Sequence, residues 1–264
     1  MRYNFFNKIK NYFAIIYYKI FKNVYGRGYE RYKIDIIKKK LNKIKVNPIS
    51  YIDERIVEIP WVVGELRKSK GFLLDAGSTL NFEYILKCLN HLKKVFITTL
   101  YPEKLSYNEL NISYTYENLS NLSFKNEYFD TITCISTLEH IGFNNEIYNY
   151  GKFQINKVDR NKLKSVLFNL NRVLKKRGKL LISIPFGKRG VYGNMQQFDS
   201  KGINKICSYL KIKKKEMMFY RYYKNSWKKT TEKECFNVEP NIKKMKNKKI
   251  ALSANSIALI KLIK

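Results

Sequence analysis

Gly71-Phe72-Leu73-Leu74-Asp75-Ala76-Gly77-Ser78 decides the fold class of this chain. An apolar run ends in an acid, a small residue and a glycine. A parallel strand ends this way when the loop after it passes close to a nucleotide-like ligand. Glycine there lets the backbone approach the ligand in dihedrals that other residues resist.

Outward from that stretch the pattern alternates. Glu54 to Lys68, containing Pro60-Trp61, predicts the helix before the first strand, which is Phe72 to Asp75. A helix over Phe82 to Leu92 follows, then strands at Val95 to Thr98, Ile112 to Tyr116 and Thr131 to Ser136. Leu163, Val166, Leu167, Leu170, Val173 and Leu174 repeat at helical spacing and predict a helix over Arg160 to Lys175. Lys176-Arg177-Gly178 ends it, and a fifth strand runs from Lys179 to Ile184 before Pro185. Beyond it the sequence predicts a helix at Ser200 to Leu210 and strands at Glu216 to Tyr222 and Ile257 to Ile263. The Lys-rich stretch Lys224 to Lys249 reads as a loop excursion. Strand and helix alternation of this kind means α/β.

The 264 residues fit one α/β domain over 51–264 with a basic, amphipathic helical extension over 1–50. With 45% hydrophobic and 15% aromatic residues the chain has ample core. The net charge is +31, and most of the excess lies outside the central segment. Residues 1–70 carry 17 basic and 6 acidic side chains, 71–187 carry 15 and 10, and 188–264 carry 20 and 5. Such flanks suit nucleic acid or an anionic membrane. They also fit a chain saturated with Lys, Ile, Asn and Tyr, in which lysine is the default surface residue.

Over residues 1–25, Phe5, Phe6, Ile9, Phe13, Ile16, Ile20 and Val24 share one helical face. The apolar run Tyr12 to Tyr18 is too short to span a bilayer, and no cleavage site follows it. This helix is expected to cap the domain or to contact a membrane surface peripherally. Cys88, Cys134, Cys207 and Cys235 lack metal-ligand spacing, and His91 and His140 are the two histidines, so no metal site is expected. Free thiols point to a reducing cytoplasm, with attachment at the inner membrane face as the variant.

Two further segments join the first. One runs Asn118-Leu119-Ser120-Asn121-Leu122-Ser123-Phe124, followed by Phe129-Asp130-Thr131-Ile132-Thr133-Cys134-Ile135-Ser136-Thr137-Leu138-Glu139-His140-Ile141-Gly142. The other runs Asn171-Arg172-Val173-Leu174-Lys175-Lys176-Arg177-Gly178 into Ile184-Pro185-Phe186-Gly187. Over roughly residues 55–190 the chain resembles class I S-adenosylmethionine-dependent methyltransferases. More narrowly, through Glu54-Arg55, Pro60-Trp61 and Ile184-Pro185-Phe186-Gly187, it resembles those of bacterial surface-polysaccharide (capsule and lipopolysaccharide) gene clusters. The resemblance implies a Rossmann-like, seven-stranded, mostly parallel sheet with helices on both faces. Its last strand is antiparallel, between the fifth and the sixth.

The resemblance also implies S-adenosyl-L-methionine as cofactor and O-methylation of a sugar or related glycan precursor. Asp75, Gly77 and Ser78 then meet the methionine part, Thr99 the ribose, Asn118 and Leu119 the adenine, and Ser136 faces the cofactor. Thr79 and Asn81 replace later glycines of the loop. Thr99 stands near where an acid usually grips the ribose, with Glu103 the nearest carboxylate, so a weaker or altered ribose grip is expected. His140, just beyond strand four, is the candidate general base, with Glu139 as its partner. Structural roles compete with each of these. Tyr148 to Lys152 and Arg189 to Asn194 are candidate lids, with Lys152, Lys188 or Arg189 for a phosphate. The other readings are an RNA-binding or RNA-modifying protein and a non-catalytic scaffold. Ser136-Thr137-Leu138-Glu139-His140 offers neither an Asn-Pro-Pro-Tyr-like motif nor a cysteine nucleophile for base modification.

Overall fold

The computed structural model describes residues 28–46, 48, 52–143, 159–193, 195–245 and 248–264. The 1–25 helix and the Tyr148 to Lys152 lid lie outside these residues. Two compact units are present, Met1–Val46 and Asn47–Lys264. The described part of the first is helical over 28–41. No helix among the described residues is long and apolar enough to cross a membrane.

The second unit is built on one eight-stranded sheet in the order β3-β2-β1-β4-β5-β12-β8-β9. Its strands are β1 (Phe72–Ala76), β2 (Lys94–Thr99), β3 (Ile112–Tyr116), β4 (Phe129–Ile135), β5 (Leu174–Pro185), β8 (Lys214–Tyr223), β9 (Ser226–Thr230) and β12 (Ser256–Ile263). β1 to β5 pair in parallel, and β12 runs antiparallel to both β5 and β8. This is the mostly parallel arrangement expected, with one difference. An eighth strand, β9, extends the edge as a hairpin with β8. The excursion predicted over 224–249 is therefore largely structured. It holds β9, the short helix Glu232–Cys235 and the antiparallel pair β10 (Asn241–Met245) and β11 (Lys248–Ser253). β9 is an edge strand whose adjacent lysines, Lys228 and Lys229, are exposed, so its apolar signal is weak.

The central strands are buried on both faces, which is why they read as continuous apolar runs. Val166, Leu167, Leu170 and Val173 of helix Arg160–Val173 are fully buried against the sheet. Asp159 caps that helix by accepting from the Asn161 N–H. Arg172 near its other end donates to the carbonyls of Leu122 and Phe124, tying the helix to the segment before β4. β5 starts at Leu174, earlier than expected, because Leu174 pairs with Phe129 before Arg177 takes a positive φ of 62°. The predicted Phe82 to Leu92 helix is only Glu83–Leu86 continued as a 3₁₀ turn, Lys87–Leu89.

Two smaller devices place the functional end. The strands β6 (Gly190–Tyr192) and β7 (Met195–Gln197) pair antiparallel just after β5. Gln196 Nε2 donates to the carbonyls of Leu138 and Ile141, clamping this hairpin onto the loop after β4. Helix Arg55–Leu66 lies over the carboxyl ends of β4 and β5, where its Glu58 bonds to residues of both.

Candidate active site

The strand order reverses between β1 and β4, so a crevice is expected outside their carboxyl ends. The turn after β1 sits there. Gly77 has φ +118°, and its N–H donates to the Thr98 carbonyl at 2.9 Å. A Cβ at Gly77 would fall 2.2 Å from Thr137 Oγ1, so the β1 and β4 loops touch at this residue. Ser78 follows at φ +60°, another left-handed residue. The Thr79 hydroxyl donates to the Ile135 carbonyl at 2.8 Å, a second tie across the crevice floor.

Asp75 is buried beneath the turn. Oδ2 accepts from the Leu80 N–H at 2.7 Å and Oδ1 from the Thr133 hydroxyl at 2.8 Å. Burial pushes its pKa up to about 6, against the pull of these two bonds and of Arg55. Its geometry is that of a brace holding the turn. Asn81, in place of a glycine, carries the other flank. It donates to the Leu105 carbonyl and accepts from Tyr114 Oη.

The remaining predicted residues divide. Thr99 ends β2 half-buried, and its carbonyl accepts the Glu117 N–H at 3.0 Å, so Thr99 and Asn118 share one rim. Asn118 is exposed, yet its Oδ1 accepts from both the N–H and the hydroxyl of Ser120, 2.9 Å each. That carbonyl caps the 3₁₀ turn Leu119–Asn121, leaving the amide NH₂ as the outward group of the side chain. The Leu119 side chain is in the core, which fixes the backbone there.

Ser136 departs from expectation. At φ +44° its hydroxyl donates to Glu58 Oε1 at 2.7 Å, pointing at helix Arg55–Leu66. Ser183 Oγ of β5 donates to the same oxygen at 2.6 Å, and Arg55 Nη1 to Glu58 Oε2 at 2.8 Å. Glu58 is fully buried. Glu139 also departs: it is 2% exposed, its carboxyl lies in the field of Glu58, Arg55 and Glu54, and burial pushes its pKa well up. Glu54 is pushed up to about 8, by burial first and then by Glu58 and Asp53. Oε2 of Glu54 and Oε2 of Glu139 are buried without a hydrogen-bond partner. An unsatisfied buried polar group costs about 1–3 kcal/mol, so such a pair calls for an explanation.

His140 ends the 3₁₀ turn Leu138–His140, half-buried, its N–H bonded to the Thr137 carbonyl. It therefore stands one residue from the carboxyl cluster and three from the residue that meets Gly77. Of the proposed phosphate ligands, Lys188 is taken by Glu239 at 2.6 Å, Arg189 is exposed, and Lys152 lies outside the described residues. His91 is exposed and bonds the Leu66 carbonyl at 3.1 Å.

Sequence reasoning missed the cluster of Glu54, Arg55, Glu58, Ser136, Glu139 and Ser183. A signal was available. Glu58 interrupts the apolar run Ile56 to Val63, where a solvated helix face would not put a lone acid. Among the described residues no group of three or more His, Cys, Asp or Glu has the arrangement to hold a metal ion.

No protein-family model and no curated protein sequence matches the chain. Solved structures that resemble it include a SAM-dependent methyltransferase from Archaeoglobus fulgidus, 14% identical over 78% of this chain and 94% of that one, with TM-score 0.49. Another is the N-methyltransferase NodS from Bradyrhizobium japonicum with S-adenosyl-L-homocysteine, 11% identical over 86% and 98%, TM-score 0.46. A third is 1,6-didemethyltoxoflavin-N1-methyltransferase from Burkholderia thailandensis, with its substrate and S-adenosylhomocysteine. It is 11% identical over 79% and 78%, with TM-score 0.48.

Proposed function

We propose that the chain is an S-adenosylmethionine-dependent methyltransferase acting on oxygen of a sugar or related precursor in surface-polysaccharide biosynthesis. The observation that carries the reading is the Gly77–Ser78 turn. It lies outside the carboxyl ends of β1 and β4, at the reversal of strand order, and is held by Asp75, Thr98 and Thr137. The residues present fit the methionine end of the cofactor at this turn. They fit the ribose and adenine through Thr99 and the Asn118 amide, a lighter grip than a strand-end acid gives. The bound cofactor supplies an electrophilic methyl group on a sulfonium.

The chain's own residues do the rest. The braced turn fixes the cofactor's position, and alignment supplies much of the rate of an in-line transfer. His140, on the loop clamped by Gln196, takes the proton from the acceptor hydroxyl. The test is transfer of a radiolabelled methyl group from S-adenosylmethionine to a panel of nucleotide-linked sugars. Labelled sugar that falls on the order of a hundredfold in His140→Ala supports the reading. Absence of labelled product with every sugar, while the cofactor binds, rejects the acceptor class.

A further inference from the structure

We propose that a basic cleft at the amino ends of β4 and β5 binds a nucleoside diphosphate, with its phosphates on Lys176, Lys211 and Lys213 and its base against Phe168. The site lies at the edge of the sheet opposite the crevice at the Gly77 turn and does not depend on the methyltransferase reading.

Four separate stretches of chain meet there. Asn126 and Glu127 precede β4, and Phe168 to Lys176 span the end of helix Arg160–Val173 and the start of β5. Lys211 and Lys213 precede β8, and Lys264 follows β12. Together they line one cleft of about 640 Å³, within the size range of small-molecule sites. The backbone fixes its walls. The Lys211 N–H donates to Asn171 Oδ1 at 3.1 Å, the Lys213 N–H to the Ile263 carbonyl at 2.8 Å and the Arg177 N–H to the Lys264 carbonyl at 2.9 Å.

Lysines and one arginine line the cleft against a single carboxylate, Glu127. Two of these cations are committed to the protein. Arg172 donates to Leu122, Phe124, Asn126 and Asn169. Lys264 Nζ donates to the Asn171 and Leu174 carbonyls at 2.7 Å each and lies 3.9 Å from Glu127. It thereby covers the carbonyls at the helix end, whose negative dipole would otherwise repel an anion. Lys176, Lys211 and Lys213 are exposed, and their ammonium groups have no partner among the described residues. Their charges are felt inside the cleft. Burial lowers the Lys264 pKa first, Glu127 opposes that, and Lys211 and Lys176 lower it further.

Three unpaired ammonium groups match a nucleoside diphosphate, which carries about three negative charges near neutral pH. Phe168 favours a nucleoside over inorganic phosphate. Its ring is 63% exposed on the same wall, one helical turn before Arg172. An exposed ring beside ammonium groups is the pairing that a base and its phosphates use.

The test is calorimetry on the full chain with S-adenosylhomocysteine kept at saturation, which blocks adenine binding at the Gly77 crevice. The probes are ADP, pyrophosphate, adenosine and a single-stranded oligonucleotide. ADP is expected to bind at one site per chain, several-fold tighter than pyrophosphate and at least tenfold tighter than adenosine. Replacing Lys176, Lys211 and Lys213 together by Gln should weaken ADP tenfold or more. Phe168→Ala should weaken ADP about fivefold and leave pyrophosphate unchanged. Circular dichroism melting should match wild type in both variants, since all four side chains are exposed. ADP affinity untouched by the triple variant, or no ADP binding at millimolar ligand, overturns the proposal. So does an oligonucleotide that binds through these lysines while ADP does not, which would make the cleft a nucleic-acid surface. If S-adenosylhomocysteine itself fails to bind, it is the methyltransferase reading that fails, and the comparison of variants with ADP still stands.

Discussion

Replacing Glu58 with alanine removes the acceptor of three hydrogen bonds of 2.6 to 2.8 Å, from Ser136, Ser183 and Arg55. Breaking a buried ion pair costs about 3–5 kcal/mol, since the partner charge is left without compensation. Arg55 keeps 31% of its side-chain surface and can recover water, which favours the lower end. We therefore expect a loss of about 3 kcal/mol, or roughly 6–12 °C in Tm for a domain of this size. Urea and thermal denaturation followed by circular dichroism measure it. Ser136→Ala, leaving Ser183 and Arg55 in place, should cost about 1 kcal/mol. In a double-mutant cycle, Glu58→Gln and Ser183→Ala should couple by about 0.5–3 kcal/mol. A Glu58→Ala protein within about 1 kcal/mol of wild type would refute the network as a structural tie between helix Arg55–Leu66 and the ends of β4 and β5.

Gly77→Ala puts a Cβ 2.2 Å from Thr137 Oγ1 at φ +118°, so it should destabilise by about 2 kcal/mol and abolish S-adenosylhomocysteine binding. Adding Thr137→Ala should restore part of the stability, as read by thermal melting. His140→Ala should leave cofactor affinity intact and slow transfer on the order of a hundredfold; unchanged turnover from pH 6 to 9 would make His140 structural. Stability should also fall with rising pH. Asp75 and Glu54 bind protons more tightly folded than unfolded, at about 6 against 3.8 and about 8 against 4.5. Their neutral-form contribution is present at acid pH and lost through the window from about 4 to 8. Glu54, faced by Asp53, Arg55, Glu58 and Glu139, accounts for the upper part. Glu54→Gln should therefore raise stability at pH 8 by on the order of 2 kcal/mol and flatten the slope between pH 6 and 8. An unchanged slope in urea titrations would contradict this assignment.

The central strands and helix Arg160–Val173 were legible because sheets buried on both faces leave long apolar runs, and Val166 to Val173 keep helical spacing. β9 was not, because Ser226–Thr230 is an edge strand whose lysines face water. Its tie to the fold, Trp227 Nε1 donating to the Ile52 carbonyl at 2.9 Å, joins residues far apart in sequence. At the site, the Gly77 turn announced itself through local backbone demands. The directions of Ser136, Glu139 and Asn118 did not, because each depends on its hydrogen-bond partners or its burial. Ser136 turns to a helix seventy-eight residues away, Glu139 is drawn into a buried field, and Asn118 caps its own turn. Glu58 carries one local sign, an acid inside the apolar run Ile56 to Val63, but its partners Ser136 and Ser183 come from distant parts of the chain and only the packing brings them to it.

The most direct test of the central claim is calorimetric titration of the wild-type chain with S-adenosylhomocysteine, in parallel with Asp75→Ala. The expected result is binding at one site per chain, lost in the variant, because Asp75 holds the turn through Leu80 and Thr133. No binding to the wild type at millimolar ligand would contradict the claim, leaving a mostly parallel α/β sheet without a cofactor site.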